Sequence, residues 1–261
     1  MCTMRLDSEG ARRRRAPVLA QLVDLFLIEM TNWRWCWRSM VITASLAPLV
    51  SIAALGIFAR DSGIHALGYV LTGNMVISLM FGNMDNVQSH FSFIRFRGAL
   101  DYFATLPIRR QALVLAVVLG FLLLSLPSLV VTLVLGSAIL RVPIAPHPIA
   151  IVVIPMCAIP LSGIGALIGS GARTPQESGS WALIVTMVMA GLGPVVVPPE
   201  RLPRLLLLLG RFSPATYAAS ALRQALLGPV TGQIAVDLAV LAGVTAIVFA
   251  LVGRVMDWRQ R

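Results

Sequence analysis

The sequence predicts an all-α integral membrane protein: six transmembrane helices, an N-terminal amphipathic helix, a long inner connection and an outer re-entrant helical hairpin before the last span. Three observations carry the membrane prediction. Of 261 residues, 57% are hydrophobic and only 12% charged, about half the charged share of soluble chains. The mean hydropathy is +0.85, and the apolar residues stand in blocks long enough to cross a bilayer core of about 30 Å, which takes roughly 20 helical residues. All 21 basic residues are arginine, against 11 acids, for a net charge of +10. They gather at the ends of the apolar blocks, where basic residues orient membrane proteins, so no nucleic-acid partner is expected.

Residues 1–16 carry the run Arg12-Arg13-Arg14-Arg15 and predict a solvated, disordered basic tail. Residues 17–261 form the membrane domain. The first apolar run starts at about Met40 with no cleavage site behind a short apolar region, so no signal peptide is read. Residues 17–38 mix Leu22, Leu25, Phe26 and Ile28 with Asp24 and Glu29, and set Trp33, Trp35 and Trp37 beside Arg34 and Arg38. Aromatic rings with arginine favour the headgroup layer, which predicts an interfacial helix leading into the first span.

Six segments reach or approach spanning length, at about 39–59, 66–84, 111–140, 149–170, 179–197 and 234–253. Pro48, Pro127, Pro155 and Pro160 lie inside them, where neighbouring helices satisfy the freed carbonyls. With the N-terminus inside, fifteen of the 21 arginines fall on the inner side and six on the outer, which predicts both termini in the cytoplasm.

Two connections exceed simple turns. The inner one, Asp85 to Arg110, holds Phe91, Phe93, Phe96, Tyr102 and Phe103 among arginines. Gly98 breaks its helical pattern and Pro107 stops it before the next span. Composition leaves two partners open for it: the inner leaflet, or a groove on a soluble protein that takes aromatic anchors. The outer connection, Pro198 to about Gln233, contains Leu205–Leu209, too short to span. Its Arg204, Arg211 and Arg223 argue against a seventh helix, since mid-membrane arginine costs about 2.5–3.5 kcal/mol. A hairpin dipping into the outer leaflet fits, with Ser213 as N-cap, Pro214 at the first helical turn and Tyr217 and Arg223 as headgroup anchors. A structural lid is favoured there over a ligand site.

The remaining chemistry is defined by absences. Without lysine the chain has no Walker A loop and no Schiff-base lysine. Cys2, Cys36 and Cys157, an odd set, support neither a disulfide framework nor a zinc site. His65, His90 and His147 are scattered over different loops. The spans hold almost no ionisable residue except Asp237, which is read as an interfacial carboxylate near an arginine such as Arg223. Ion-coupled carriers need intramembrane acids or histidines, so any transport must draw its energy from another subunit.

Three stretches resemble the ABC-2 family of ABC exporter permeases. Arg95-x-x-Gly98-Ala99-Leu100-Asp101 followed by Thr105-Leu106-Pro107 is similar to the family's segment after the second span, although Ile94 and Phe96 stand where the family often has acids. Gly193 to Pro203 resembles the stretch after the fifth span. Phe212-Ser213-Pro214-Ala215-Thr216-Tyr217 with Arg223 and Gly228 resembles the element before the last. The stretch from Ile164 is similar to the short inner turn between spans four and five. The order of these motifs covers roughly residues 20–255, and the bacterial antibiotic and drug exporters look most alike.

The resemblance implies a permease without cofactor of its own, ATP and magnesium being held by a separate ABC ATPase present in two copies. It implies a second permease, the same or a different chain, in a bacterial cytoplasmic membrane. It assigns 88–108, with Arg95, Arg97, Gly98, Asp101, Tyr102 and Pro107, to coupling with the ATPase, and 171–178 to a minor contact. It leaves Pro203, Pro214, Tyr217 and Arg223 to the outer hairpin. Asn74 and Ser78 on the second span, with Met187 and Met189 on the fifth, are candidate walls of a path for an amphipathic cargo. The rival expectation is a non-transporting scaffold or sensor that recruits a cytoplasmic partner through 85–110.

Overall fold

The computed structural model describes residues 18–33, 37–59, 63–98 and 110–255. Among them are ten α-helices and no strand: α1 (Val18–Trp33), α2 (Trp37–Ala59), α3 (Gly63–Leu79), α4 (Asp85–Phe96), α5 (Arg110–Leu140), α6 (Ala150–Gly171), α7 (Pro175–Gly191), α8 (Arg204–Gly210), α9 (Pro214–Leu227) and α10 (Gln233–Val255). Five spans are long and apolar enough to cross a membrane, and the count rises to six if α8 and α9, bent by 88°, make one broken span. The basic tail expected over 1–16 lies outside the described residues.

The second span runs further than its expected end at residue 84. A π-helical turn, Met80–Met84, joins α3 to α4, and Gly63–Phe96 forms one rod of 34 residues. At 1.5 Å per residue the rod is about 51 Å long, against a bilayer core of about 30 Å. Asp85, Asn86, Gln88 and His90 lower the hydropathy but contain no breaker, so the helix continues to Phe96, and Gly98, with φ 70°, takes the left-handed geometry that ends helices. The Asn86 amide donates to the carbonyls of Phe81 and Gly82, at 3.1 and 2.9 Å, and so satisfies acceptors that the π turn leaves behind. Asp85 sits about 33 Å along the rod from Gly63, beyond one core thickness.

The expected fifth span is the element where expectation and structure differ. Its helix, α7, starts four residues early, stops at Gly191, six short of the expected residue 197, and with 17 residues is not one of the five spans counted above. Gly193 takes φ 91° and Pro194 has no N–H to give, so the apolar run Val195-Val196-Val197 continues as non-helical chain. That chain rests on α3 at Gly73, where a Cβ would lie 2.5 Å from the Val195 carbonyl oxygen.

The rod is central, and small residues let its neighbours close on it, as in membrane helix packing generally. On α6, a Cβ at Gly165 or Gly169 would run into the carbonyl of Met84 or of Gln88. On the opposite flank Ser78 Oγ lies 3.5 Å from Ser128 Oγ and accepts from Thr132 Oγ1 at 3.3 Å. Ser45 of α2 donates to the Ser128 carbonyl at 3.4 Å. These hydroxyls are buried and each finds a partner across or within helices.

Apolar packing fills three regions along the bundle. Val87, Phe91, Val114, Phe121 and Val248 meet at the α4 end. Met75, Leu79, Leu161, Leu222 and Leu241 fill the middle, and Ile52, Leu67, Leu71, Leu140 and Val142 the hairpin end. Helix α1 lies along the start of α5 through Leu25, Leu22 and Phe26. Its Glu29 meets His90 of α4 at 3.1 Å.

Candidate functional site

At the α4 end, three elements converge. The last turn of α4 carries Arg95, half-buried, whose guanidinium donates to the backbone carbonyl of Ser170 near the end of α6. The last carbonyls of a helix have no partner within it and carry its negative dipole end, so a cation there satisfies both needs. About two turns earlier, Gln88 donates to the Ser178 hydroxyl on α7. The coupling candidate and the minor contact expected over 171–178 are therefore directly joined.

Local sequence sets the α6–α7 turn. Thr174 is the N-cap of α7, its hydroxyl accepting from the Glu177 N–H at 3.2 Å. The Glu177 carboxylate accepts in return from the Arg173 N–H at 2.9 Å, and Pro175 stands at the first helical position. This resembles a capping box, with the return bond going to Arg173, one residue before the N-cap, and with a pre-set φ at Pro175. The Thr-Pro-Gln-Glu spelling was the sequence signal for it.

Beyond Arg95 the tip of the rod is aromatic and basic. Phe93 and Phe96 are exposed, at 47% and 65%, and the Arg97 guanidinium lies 5.8 Å from the Phe93 ring centroid. Gly98 ends the described part of this segment. Asp101, Tyr102 and Pro107 lie outside the described residues.

At the opposite end, Gly193 and Gly210 meet backbone to backbone. A Cβ on Gly193 would lie 2.7 Å from the Gly210 Cα, and one on Gly210 would lie 2.5 Å from the Gly193 Cα. The end of α7 is thus pressed against the corner of the hairpin. Ser213 stands at the N-cap of α9, but its hydroxyl makes no cap bond and points to the Met189 carbonyl at 3.5 Å. Tyr217 donates to the Arg211 carbonyl at 2.8 Å and closes the corner, with Pro203 exposed ahead of α8 and Pro214 buried at the start of α9. Helix α9 presents Ala215, Ala218, Ala219, Ala221, Leu222 and Ala225 inward, and this small-residue face seats it between α3, α6 and α10.

Arg223 and Asp237 are not ion-paired. The Arg223 guanidinium carbon lies 3.4 Å from the ring centroid of Tyr69 on α3, and its Nε and one Nη are buried without hydrogen-bond partners. Asp237, 1% exposed, accepts from the side-chain amides of Gln224 and Gln233 at 3.2 and 3.3 Å. The ring face supplies negative potential to the cation, and two amides neutralise the need of the carboxylate. Tyr69 was not among the sequence candidates, because nothing in its own segment signals a partner on α9.

The four candidate wall residues do not line one cavity. Asn74 is fully buried and donates to the Val70 carbonyl at 2.8 Å, Ser78 belongs to the hydroxyl cluster, and Met189 is buried. Met187 is 57% exposed, on a flank of α7 shared with Trp181, Leu183, Ile184 and Val188. Helix α7 turns Ser178, Ala182, Thr186 and Met189 inward, so its large apolar residues face outward. Among the described residues no three His, Cys, Asp or Glu side chains gather as a metal site.

A family model described as ABC-2 type transporter matches residues 23–227, from within α1 to the last residue of α9. No curated protein matches the chain.

Proposed function

Because the chain belongs to the ABC-2 type transporter family, whose permeases generally pair with an ATPase subunit, we propose that it is the permease of an ATP-driven exporter of amphipathic compounds. The cargo class is antibiotic, drug or lipid-like, leaving the cytoplasm or inner leaflet of a bacterial cytoplasmic membrane. The matched part is the membrane domain, with no ATPase domain, and the family's membrane domain typically has no cofactor. The complex we infer holds two ATPase copies and a second permease, identical or not, with both termini cytoplasmic.

One observation carries the reading: the α3–α4 rod outruns a bilayer by roughly 20 Å and its tip offers Phe93, Phe96 and Arg97. Exposed aromatics beside a cation are the residue types that anchor protein interfaces. The coupling role falls to Arg95, Arg97 and Gly98, continuing through Asp101, Tyr102 and Pro107. Closure of the ATPases on ATP moves the tip. The Arg95–Ser170 bond carries the α6–α7 turn with it, and α7 carries the motion to the hairpin. Cargo passes along the outward flank of α7 at Met187, whose flexible thioether adapts to varied apolar shapes, while Asn74, Ser78 and Met189 support that wall from behind.

The test is reconstitution with the ATPase after changing Phe93 and Phe96 to Ser. The permease stays folded, because both side chains are exposed, and loses retention of the ATPase together with cargo-stimulated hydrolysis. Full retention and stimulation would sink the coupling assignment. ATPase binding that no cargo ever stimulates would favour the scaffold.

A further inference from the structure

At the hairpin end, α2, α3 and α5 diverge around a groove of about 330 Å³ lined by Ala53, Gly56, Ile57, Leu67 and Ile139, with Arg141 at its mouth. Ala53 is the small exposed residue on α2, while the space over Gly56 is taken by the Leu140 side chain, where a Cβ would lie 2.5 Å from Leu140 Cδ2. Apart from Arg141 its lining side chains are aliphatic, Leu140 among them, and it lies at the end of three membrane-crossing helices, where acyl chains give way to headgroups.

Arg141 breaks a local rule. It has φ 54°, and no other non-glycine residue among those described has positive φ. The Val142 N–H donates to the Ser137 carbonyl at 3.2 Å, five residues back, so Arg141 occupies the left-handed position of a Schellman-type stop where glycine is usual. The turn is held because Val142 is buried, at 6% exposure, in the apolar cluster with Leu140 and Ile52. The strained residue itself is exposed and makes no hydrogen bond or ion pair among the described residues. Local rules are broken where function compensates, and a residue that glycine would replace without strain is here an exposed cation at the mouth of an aliphatic-lined groove.

We propose that this groove is a binding site for an anionic phospholipid of the leaflet at the hairpin end, one acyl chain lying in the slot and the phosphodiester on Arg141. Arginine pairs with phosphate oxygens through two parallel N–H donors. The occupant is an anionic lipid and not a second protein copy, because a cation stands at the mouth of a groove lined by aliphatic side chains. The site stands whether or not the cargo reading does.

Native mass spectrometry of the purified full chain tests it, with phosphatidylglycerol and phosphatidylcholine of the same chains as probes. Wild type prefers phosphatidylglycerol by about fivefold, the factor one basic side chain at an anionic surface supplies. Arg141→Gln loses the preference, Arg141→Lys keeps most of it, and Arg211→Gln, exposed on the hairpin outside the groove, leaves it intact. Ala53→Phe fills the slot and lowers retention of both lipids. Arg141→Gly relieves the backbone, so it melts higher than wild type in lipid-free detergent yet gains less from added phosphatidylglycerol. A preference that survives Arg141→Gln, or falls equally with Arg211→Gln, overturns the site. Displacement of the bound lipid by inorganic phosphate would mean that the mouth alone binds, and would overturn it as well.

Discussion

Arg95 of α4 donates its hydrogen bond to the carbonyl of Ser170, so the tip of the central rod and the end of α6 share one polar link. A hydrogen bond to a charged group contributes about 1.5–3 kcal/mol. Arg95→Ala is therefore expected to lower the melting temperature in detergent. It should also abolish cargo-stimulated ATP hydrolysis in the reconstituted complex while basal hydrolysis persists. Lysine at the same position recovers part of both. Unchanged stimulation beside a lowered melting temperature would leave Arg95 a purely structural residue.

Gly165 and Gly169 of α6 admit the backbone of the rod. Leucine at either position collides with a main-chain carbonyl that cannot rotate away, and overpacking of this kind costs typically 1–3 kcal/mol or more. Gly171, two residues on, has open space where its Cβ would stand. Size-exclusion profiles should show aggregation or loss for Gly165→Leu and Gly169→Leu, and a normal peak for Gly171→Ala. Equal profiles for all three would refute the packing role.

Arg223 on the face of Tyr69 is a desolvated cation–π pair, a class that reaches about 2 kcal/mol. Tyr69→Leu leaves a buried guanidinium with nothing before it, whereas Arg223→Met removes the charge and keeps the volume. The first is expected to destabilise more than the second, and the double change to cost less than the sum. Thermal unfolding of the four proteins measures this, and strict additivity would show that the pair is uncoupled.

The capping box of α7 gives a smaller effect. Thr174→Ala removes the acceptor for the Glu177 N–H, worth about 1 kcal/mol at helix N-termini. Faster amide exchange confined to the first turn of α7 is the expected signature. No local change would mean that tertiary contacts alone hold the turn.

The bilayer leaves a strong imprint on sequence, which is why the limits of α2, α5, α6 and α10 lie within a few residues of the hydropathy blocks. Hydropathy is blind to breakers, so Val195-Val196-Val197 extended the fifth span past Gly193-Pro194. It is equally blind to helices that leave the membrane, so Asp85 read as the start of a connection. Pro203, Pro214 and the arginines foretold the hairpin because prolines and charges act locally. Tyr69 under Arg223, and Arg95 against Ser170, join distant segments, and no local pattern announces such pairs. The Schellman stop at Arg141 carries no signal either, since arginine is an unusual occupant.

Gly193 against Gly210 leaves no rotamer between the end of α7 and the hairpin corner. Side chains act as springs that absorb sub-ångström shifts, and here there are none. An axial slip of α7 of even half a turn must be matched by the corner or break the junction. The junction is stiff in compression, so the end of α7 and the hairpin corner can only shift together.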